Sequence, residues 1–161
     1  MNTKTILDIF HIEKNLPHEL IHLIQNDRML RADLVSYFRQ NKGREFATFL
    51  LDKFIFIRKA PKGEMPFEDL MLACYILGLH NQVEDCLKIW EAKIADFDTY
   101  CGLDIQLVSF AGLDETKKYL KEQQSPKAKE AYDYILECSE HGDFDPKLSE
   151  YFSTSNLPWY I

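Results

Sequence analysis

Hydrophobic positions recur along most of the chain at the three- and four-residue spacing that is typical of amphipathic helices. In residues 28–41, for example, the apolar side chains Leu30, Leu34 and Phe38 stand four positions apart, so they would line one face of a helix. The strict alternation of apolar and polar residues that indicates a half-buried strand is hard to find. The pattern therefore predicts an all-α fold.

Turn-forming residues divide the chain into nine or ten predicted helices. These are expected over residues 4–13, from Pro17, over 28–41, 44–58 and 67–79, from Val83, over 98–111, after Asp114, and from Pro126 to about Glu140. Pro17 and Pro126 suit a first helical turn, where the missing N–H has no partner to lose. Asn81 followed by Glu84 is typical of a capping box. The helix over 67–79 is apolar nearly all round, which predicts a central position.

Two segments share a plan that is typical of stacked helical hairpins. "YILGLHNQVEDCLKIW" and "SFAGLDETKKYLKEQ" each pass from an apolar helix end through Gly-Leu and a polar turn into a second helix, and Gly78 and Gly112 are 34 positions apart. Helical-repeat proteins show periods of this length. We therefore expect an irregular, helical-repeat-like stack of hairpins, with an orthogonal helical bundle as the alternative.

The length of 161 residues suffices for one compact domain with a substantial core. We expect a single all-helical domain over 1–161, which divides at most into the subregions 1–59 and 66–152. The loop "APKGEMP" separates these subregions. The last segment, 153–161, is expected to be a tail that lies on the surface or in a groove.

Charge is distributed unevenly along the chain and limits the classes of partner. Residues 1–60 hold ten basic and seven acidic side chains, a formal charge of +3, whereas residues 61–161 hold nine basic and nineteen acidic ones, a formal charge of −10. Such a surface repels a phosphate backbone, which argues against nucleic acid and favours a basic protein partner. Alternatively, the acidic surface binds no partner and only increases the solubility of the protein.

The start of the chain lacks the apolar core of a secretory signal, and no apolar stretch reaches the length of a membrane span. The cysteines form no C-x-x-C pair, and three of them fall on apolar helix faces, so reduced and buried thiols are expected. The four are Cys74, Cys86, Cys101 and Cys138. These features predict a soluble cytoplasmic protein without membrane association.

One segment spells a zinc-hydrolase pattern. His18, Glu19 and His22 form H-E-x-x-H, in which two histidines one helical turn apart can share a zinc ion and the glutamate can act as a base on bound water. At about 100° per residue, however, both histidines point away from the apolar side that contains Leu20 and Ile24. Exposed histidines are therefore the favoured interpretation.

A third zinc ligand is also missing from the pattern. The extended form H-E-x-x-H-x-x-G-x-x-H requires glycine and histidine where this chain has Gln25 and Arg28. The downstream candidates Glu45, Glu64 and Glu68 stand in no partner motif. We therefore expect no catalytic residue, no metal and no cofactor, with a zinc-dependent hydrolase kept as an alternative.

Two acid–Phe–acid triplets are the most distinctive candidates for a binding surface. Each lies at a predicted turn between helices, and acidic or aromatic residues lie close to both. The predicted partner-binding residues are Asp96, Phe97, Asp98, Tyr100, Asp104, Glu140, Asp143, Phe144 and Asp145. Aromatic anchors would supply contact energy and the carboxylates would steer a basic partner. Alternatively, each phenylalanine packs inward as a hydrophobic staple and each aspartate caps a helix.

The segment 95–120, "ADFDTYCGLDIQLVSFAGLDETKKYL", contains the framework "FDT…GLD…AGL…T…YL". In this framework the chain resembles small all-helical bacterial proteins of the immunity type. The resemblance implies a cytosolic protein that is not an enzyme and that neutralises one cognate toxin by binding it tightly. An acidic surface fits a basic toxin. A helical-repeat adaptor that binds another cellular protein is the alternative.

Overall fold

The computed structural model describes residues 1–61, 65–153 and 157–161. Within these ranges the chain forms eleven α-helices and no strand, which confirms the predicted all-α fold. The helices are α1 (Thr3–Glu13), α2 (His18–Asn26), α3 (Arg28–Phe38), α4 (Arg44–Lys59), α5 (Phe67–Gly78), α6 (Cys86–Lys93), α7 (Phe97–Gly102), α8 (Ile105–Val108), α9 (Leu113–Glu122), α10 (Pro126–His141) and α11 (Leu148–Tyr151). A short 3₁₀ turn, Val83–Asp85, precedes α6. None of the helices in the described part is long and apolar enough to cross a membrane.

The ends of the longer helices follow from their flanking residues. Asp27 accepts a hydrogen bond from the Leu30 N–H at the start of α3, and Ser125 accepts one from the Ala128 N–H at the start of α10. These side chains satisfy amide groups that have no partner within the helix. Gly142 ends α10 with φ of 77°, in the left-handed region that glycine adopts without strain.

The predicted helix over 98–111 is wrong as a single element, because the chain breaks it into α7 and α8. Leu103 is extended, and the Asp104 carboxylate accepts a hydrogen bond from the Gln106 N–H at 3.0 Å. A side chain that bonds nearby backbone in this way competes with helix continuation and starts a new helix. The break places the start of α8, whose residues are buried, directly after the end of α7.

The capping box predicted at Asn81 is also wrong. Asn81 has φ of 52°, and its N–H donates to the carbonyl of Gly78, so it ends α5 rather than starting α6. Asparagine tolerates this left-handed conformation better than most residues do. The residue that precedes the 3₁₀ turn, Gln82, makes no side-chain cap.

Packing joins mainly helices that are first or second neighbours along the chain. The pairs α2–α3, α4–α5 and α9–α10 pack as hairpins, and α1–α3, α3–α5 and α4–α6 pack as second neighbours. This order is typical of stacked hairpins. The glycines of the proposed repeat are not equivalent, however, because Gly78 lies against Phe110 within a helix whereas Gly112 has φ of 106° at a helix start.

The central helix is α5, as its apolar sequence predicts. Ten of its twelve residues are buried, and it packs on α3, α4, α6, α7 and α8. The buried hydrophobic side chains form one cluster that extends from Ile6 in α1 to Ile161. Helices α6, α7 and α10 therefore rest on a continuous core, which fixes the surface described below.

The described part of the tail, 157–161, ends in a groove, where its last two residues are buried, while Leu157 and Trp159 are exposed. Arg31 anchors it, because its guanidinium donates to the carbonyl of Tyr160 at 2.6 Å and to the Asp69 carboxylate at 2.6 Å. The side chain of Gln25 donates to the other Asp69 oxygen at 3.0 Å. Tyr160 and Ile161 are both buried. The rest of the predicted tail that is described consists of residue 153 alone.

Candidate partner-binding surface

The first acid–Phe–acid triplet starts α7. The Asp96 carboxylate accepts from the Thr99 N–H at 2.9 Å, and the Thr99 hydroxyl accepts from the Asp96 N–H at 3.0 Å. This reciprocal pair is a capping box, so the capping interpretation of Asp96 is confirmed. The cap sets the direction in which α7 leaves the end of α6.

Arg58 of α4 binds the same carboxylate. Its Nε lies 2.5 Å from one oxygen of Asp96 and its Nη2 lies 3.1 Å from the other, while Asp98 is 3.4 Å away. A further N–H donates to the carbonyl of Met65. The hydrogen bond from Arg58 holds the pKa of Asp96 below its usual value. Asp96 is therefore an internal structural group, and Arg58 neutralises part of the charge predicted for this triplet.

Phe97 does not pack inward as a hydrophobic staple. Its side chain is 78% exposed, and Tyr100, one turn further along α7, is 40% exposed. Cys101 is exposed on the same short helix. Helix α7 thus presents an aromatic edge to solvent, and such an edge is a typical anchor for a protein partner.

Buried Lys93 holds α7 in place from below. Its ammonium donates to the carbonyls of Tyr100 and Leu103, each at 2.7 Å. These are carbonyls at the end of α7 that no helical N–H satisfies. The same ammonium lies 5.6 Å and 5.4 Å from the ring centroids of Tyr100 and Tyr134. Burial lowers the pKa of Lys93. The lysine therefore fixes Tyr100 against α10.

Helix α10 carries a stripe of exposed carboxylates beside this aromatic edge. Glu130, Asp133, Glu137 and Glu140 are separated by three, four and three residues, so they lie on one side of the helix. Lys129 lies 2.5 Å from Asp133. Among the described residues, no hydrogen bond or ion pair engages the side chains of Glu137 and Glu140. Both carboxylates are thus available to a basic partner.

A groove of about 470 Å³ lies where α6, α7 and α10 meet. The ring centroids of Trp90 and Tyr134 are 5.3 Å apart, and those of Tyr134 and Tyr100 are 5.2 Å apart. The groove is lined by Trp90, Tyr100, Pro126, Lys129, Glu130, Asp133, Tyr134 and Glu137. We call this groove, together with Phe97 and Glu140, the α7–α10 surface.

The second triplet lies at the far end of α10 and contacts α8. The Gln106 amide donates to the carbonyl of Asp143 at 2.8 Å and accepts from the N–H of Asp145 at 3.3 Å. Phe144 is half-buried and packs on the core, whereas both aspartates are exposed. Because Asp104 caps the start of α8 and accepts from the Gln106 N–H, the structure brings Asp104 and the second triplet together.

The second triplet also begins close to the α7–α10 surface. Burial raises the pKa of Tyr134, and the nearby Cys138, Tyr100 and Asp143 raise it further. Asp143 therefore lies on the side of Tyr134, whereas Asp96 is turned towards Arg58. The charged face that extends beyond the groove consists of Glu140, Asp143 and Asp145, each of which is exposed.

The zinc-hydrolase pattern lies on an open helix face. His18, Glu19 and His22 are all exposed on α2, opposite its buried residues. Of the candidate third ligands, Glu45 pairs with Lys14, Glu68 lies in α5, and Glu64 lies outside the described residues. In the described ranges, no group of three or more His, Cys, Asp or Glu side chains is placed to hold a metal ion.

Sequence reasoning named Phe97, Tyr100 and Glu140 but missed most of the groove. The missed residues are Trp90, Glu130, Asp133, Tyr134 and Glu137. The spacing of the four acidic residues in α10 was a signal for the stripe, because it places them on one helix face. No signal in the sequence showed that Trp90 and Tyr100 meet Tyr134.

Comparison with family models, with curated proteins and with solved structures found no match for this chain. The resemblance of residues 95–120 to immunity-type proteins therefore remains a prediction.

Proposed function

We propose that this chain is a protein-binding module, and not an enzyme, whose α7–α10 surface docks on a basic protein. The observation that carries the proposal is the exposure of Phe97 and Tyr100 next to the unpaired carboxylates of Glu137 and Glu140. Exposed aromatic side chains are the usual anchors of interfaces, and surrounding charges steer association and select the partner.

In its most concrete form, the proposal is an immunity-type protein that neutralises a cognate bacterial toxin in the cytoplasm. Two features support it. The segment 95–120 that resembles immunity-type proteins contains the whole of α7, including Phe97 and Tyr100. The acidic stripe of α10 lies beside that segment and suits a basic toxin domain. Binding would cover the active or exposed surface of the toxin, so inhibition would be steric.

A helical-repeat adaptor would use the same surface, so the activity of the partner distinguishes the two functions. The first experiment is affinity capture from the native host with the wild-type chain and with a variant that carries Glu130→Lys, Glu137→Lys and Glu140→Lys. A matched control carries Asp8→Lys, Glu13→Lys and Glu19→Lys, which changes the net charge equally at exposed positions of α1 and α2.

The proposal expects a basic protein that the wild-type and control chains capture and the α10 variant loses. When that protein is expressed alone in a bacterial host, growth should stop, and co-expression of the wild-type chain should restore it. A partner that is harmless when expressed alone would favour the adaptor. Capture that is unaffected by the α10 variant, with its helicity retained, would refute docking through this surface.

A further inference from the structure

We propose that the groove of the α7–α10 surface receives an arginine side chain of the partner. This inference rests on the proposed function and specifies its chemistry. The groove combines aromatic rings with carboxylates, and its volume of about 470 Å³ falls within the usual range of specific ligand sites. The occupant follows from the shape and the charge of the lining.

Three inclined rings build the inner side of the groove. Trp90 and Tyr134 are tilted by 46° to each other, and Tyr134 and Tyr100 by 60°. Trp90 is fully buried behind Tyr134, whereas Tyr100 and Tyr134 remain partly exposed. The face of an aromatic ring carries negative electrostatic potential, so the partly exposed rings of Tyr100 and Tyr134 can attract a cation.

The rim of the groove carries the opposite charge to such a cation. Three acidic residues line it, Glu130, Asp133 and Glu137, together with one cationic residue, Lys129. Lys129 is committed to Asp133 at 2.5 Å. The lining thus keeps an excess of negative charge, which complements a cationic side chain and disfavours an acidic or a purely apolar one.

The structure also shows that these rings accept a cation. The buried Lys93 ammonium lies 5.6 Å from the ring centroid of Tyr100 and 5.4 Å from that of Tyr134. Its two hydrogen bonds go to backbone carbonyls of the segment that ends α7. Among the rim carboxylates, Asp133 pairs with Lys129 and Glu130 accepts from the indole N–H of Trp90 at 3.5 Å, whereas no contact among the described residues engages Glu137. Glu137 is therefore available to a second, external cation.

Arginine fits this groove better than lysine does. A planar guanidinium stacks on an aromatic ring while its edge forms two parallel hydrogen bonds to a carboxylate. Tyr100 and Glu137 offer a ring and an unpaired carboxylate that line the same groove. The ammonium of lysine is more strongly hydrated and makes no such paired contact, so we expect weaker binding.

The test is a titration of the full chain, labelled with ¹⁵N, with a short peptide that contains one arginine. The chain has two tryptophans, and their indole N–H signals report on different places. The indole nitrogen of Trp90 lies 3.5 Å from the Glu130 carboxylate in the groove, whereas Trp159 lies by the tail groove. We expect the indole N–H signal of Trp90 to shift until the site is saturated, and the chemical shift of the Trp159 signal to remain unchanged.

Matched peptides and variants separate the groove from general attraction. A lysine peptide should bind more weakly, and a citrulline peptide, which has nearly the same shape without the charge, should not shift Trp90. Glu137→Gln should raise the dissociation constant about threefold, and Tyr100→Leu should raise it by a similar factor. Glu19→Gln, at an exposed position of α2 outside this surface, is the control and should change it by less than about 1.5-fold.

The outcomes distinguish this inference from the function on which it rests. Equal shifts with arginine and citrulline peptides, or equal losses in Glu137→Gln and Glu19→Gln, would refute the arginine site. If the captured partner still depends on the α10 carboxylates in that case, docking through this surface stands without the pocket. If the peptide binds as expected but the partner ignores the α10 variant, the proposed function fails.

Discussion

Arg58 and Asp96 form a two-point ion pair that joins the end of α4 to the start of α7. One guanidinium N–H group lies 2.5 Å from one carboxylate oxygen, and a second lies 3.1 Å from the other. Because Asp96 also caps α7, this contact places Phe97 and Tyr100 relative to α4. The basic first part of the chain thereby positions the acidic second part.

Replacing Asp96 should destabilise the fold measurably. Asp96→Ala removes the cap and both contacts to Arg58, and we expect the free energy of unfolding to fall by about 1–2 kcal/mol. Asp98→Ala is the matched control, because Asp98 is mostly exposed and lies 3.4 Å from the same arginine. Its effect should stay within about 0.5 kcal/mol. Urea unfolding of both variants measures the difference, and equal losses would contradict the assigned role.

The contribution of Asp96 should depend on pH in a defined direction. Its pKa is lowered in the folded state, chiefly by the hydrogen bond from Arg58. A carboxylate of this kind stabilises the fold fully above its unfolded-state pKa of about 3.9 and loses that effect as pH falls through the lowered folded-state pKa. The stability difference between wild type and Asp96→Ala should therefore be constant near neutrality and shrink in acid. A difference that grows in acid would contradict this sign.

The buried pair of Arg31 and Asp69 should matter more than any exposed pair. Asp69→Ala leaves the guanidinium buried without its carboxylate, and we expect a loss of about 3–5 kcal/mol in the free energy of unfolding. The tail that Arg31 holds should loosen, so fluorescence from Trp159 should change. Glu45→Ala, which breaks the exposed pair with Lys14, should cost less than about 1 kcal/mol.

A small loss in Asp69→Ala with unchanged fluorescence would show that the tail is held by other contacts. Because a loss at the upper end of this range can unfold the Asp69→Ala variant at ambient temperature, Asp69→Asn offers a second readout. It keeps the shape and one acceptor oxygen but replaces the other oxygen with an NH₂ donor, so its loss should fall between those of Asp69→Ala and Glu45→Ala.

One thiol should react rapidly in the native protein. Cys101 is exposed, whereas Cys74, Cys86 and Cys138 are buried, and burial raises the pKa of Cys86 to about 12. A thiol reagent should therefore modify one cysteine quickly and the others only on unfolding. Cys101→Ser should abolish the fast phase, and two or more fast thiols would contradict the described burial.

The same cysteine offers a probe of the partner surface. Cys101 lies next to Tyr100 on α7, so a bulky label there should block the captured partner. Labelled wild type is compared with unlabelled wild type and with the Cys101→Ser variant after the same treatment. Full binding of the labelled chain would place the interface elsewhere.

The periodicity of the hydrophobic residues was enough to predict the fold class, because residues three or four positions apart lie on the same face of a helix. It failed where a local side chain overrides the pattern. Asp104 breaks a predicted helix by accepting a hydrogen bond from the Gln106 N–H. Asn81 was expected to begin a helix, but its left-handed backbone ends α5 instead. Such events depend on one hydrogen bond or one backbone angle, which a repeating pattern does not record.

Only part of the α7–α10 surface could be predicted from the sequence. Phe97 and Glu140 are exposed, and their role in binding stays a prediction. The acidic stripe of α10 is present in the spacing of its residues. The engagement of Asp96 by Arg58 joins residues 38 positions apart. The contacts of Tyr134 with Trp90 and Tyr100 likewise depend on how α6, α7 and α10 cross, which no local signal specifies.

The most direct test of the central claim is the association rate constant of the captured partner, measured by stopped flow at several salt concentrations. The account predicts that reversing the charges of Glu130, Glu137 and Glu140 lowers this rate constant about tenfold or more at low salt. The deficit should shrink as salt screens the charges. The matched variant with lysine at positions 8, 13 and 19 should associate nearly as fast as wild type. Equal association rates for all three chains at every salt concentration, with helicity retained, would contradict docking through the α7–α10 surface.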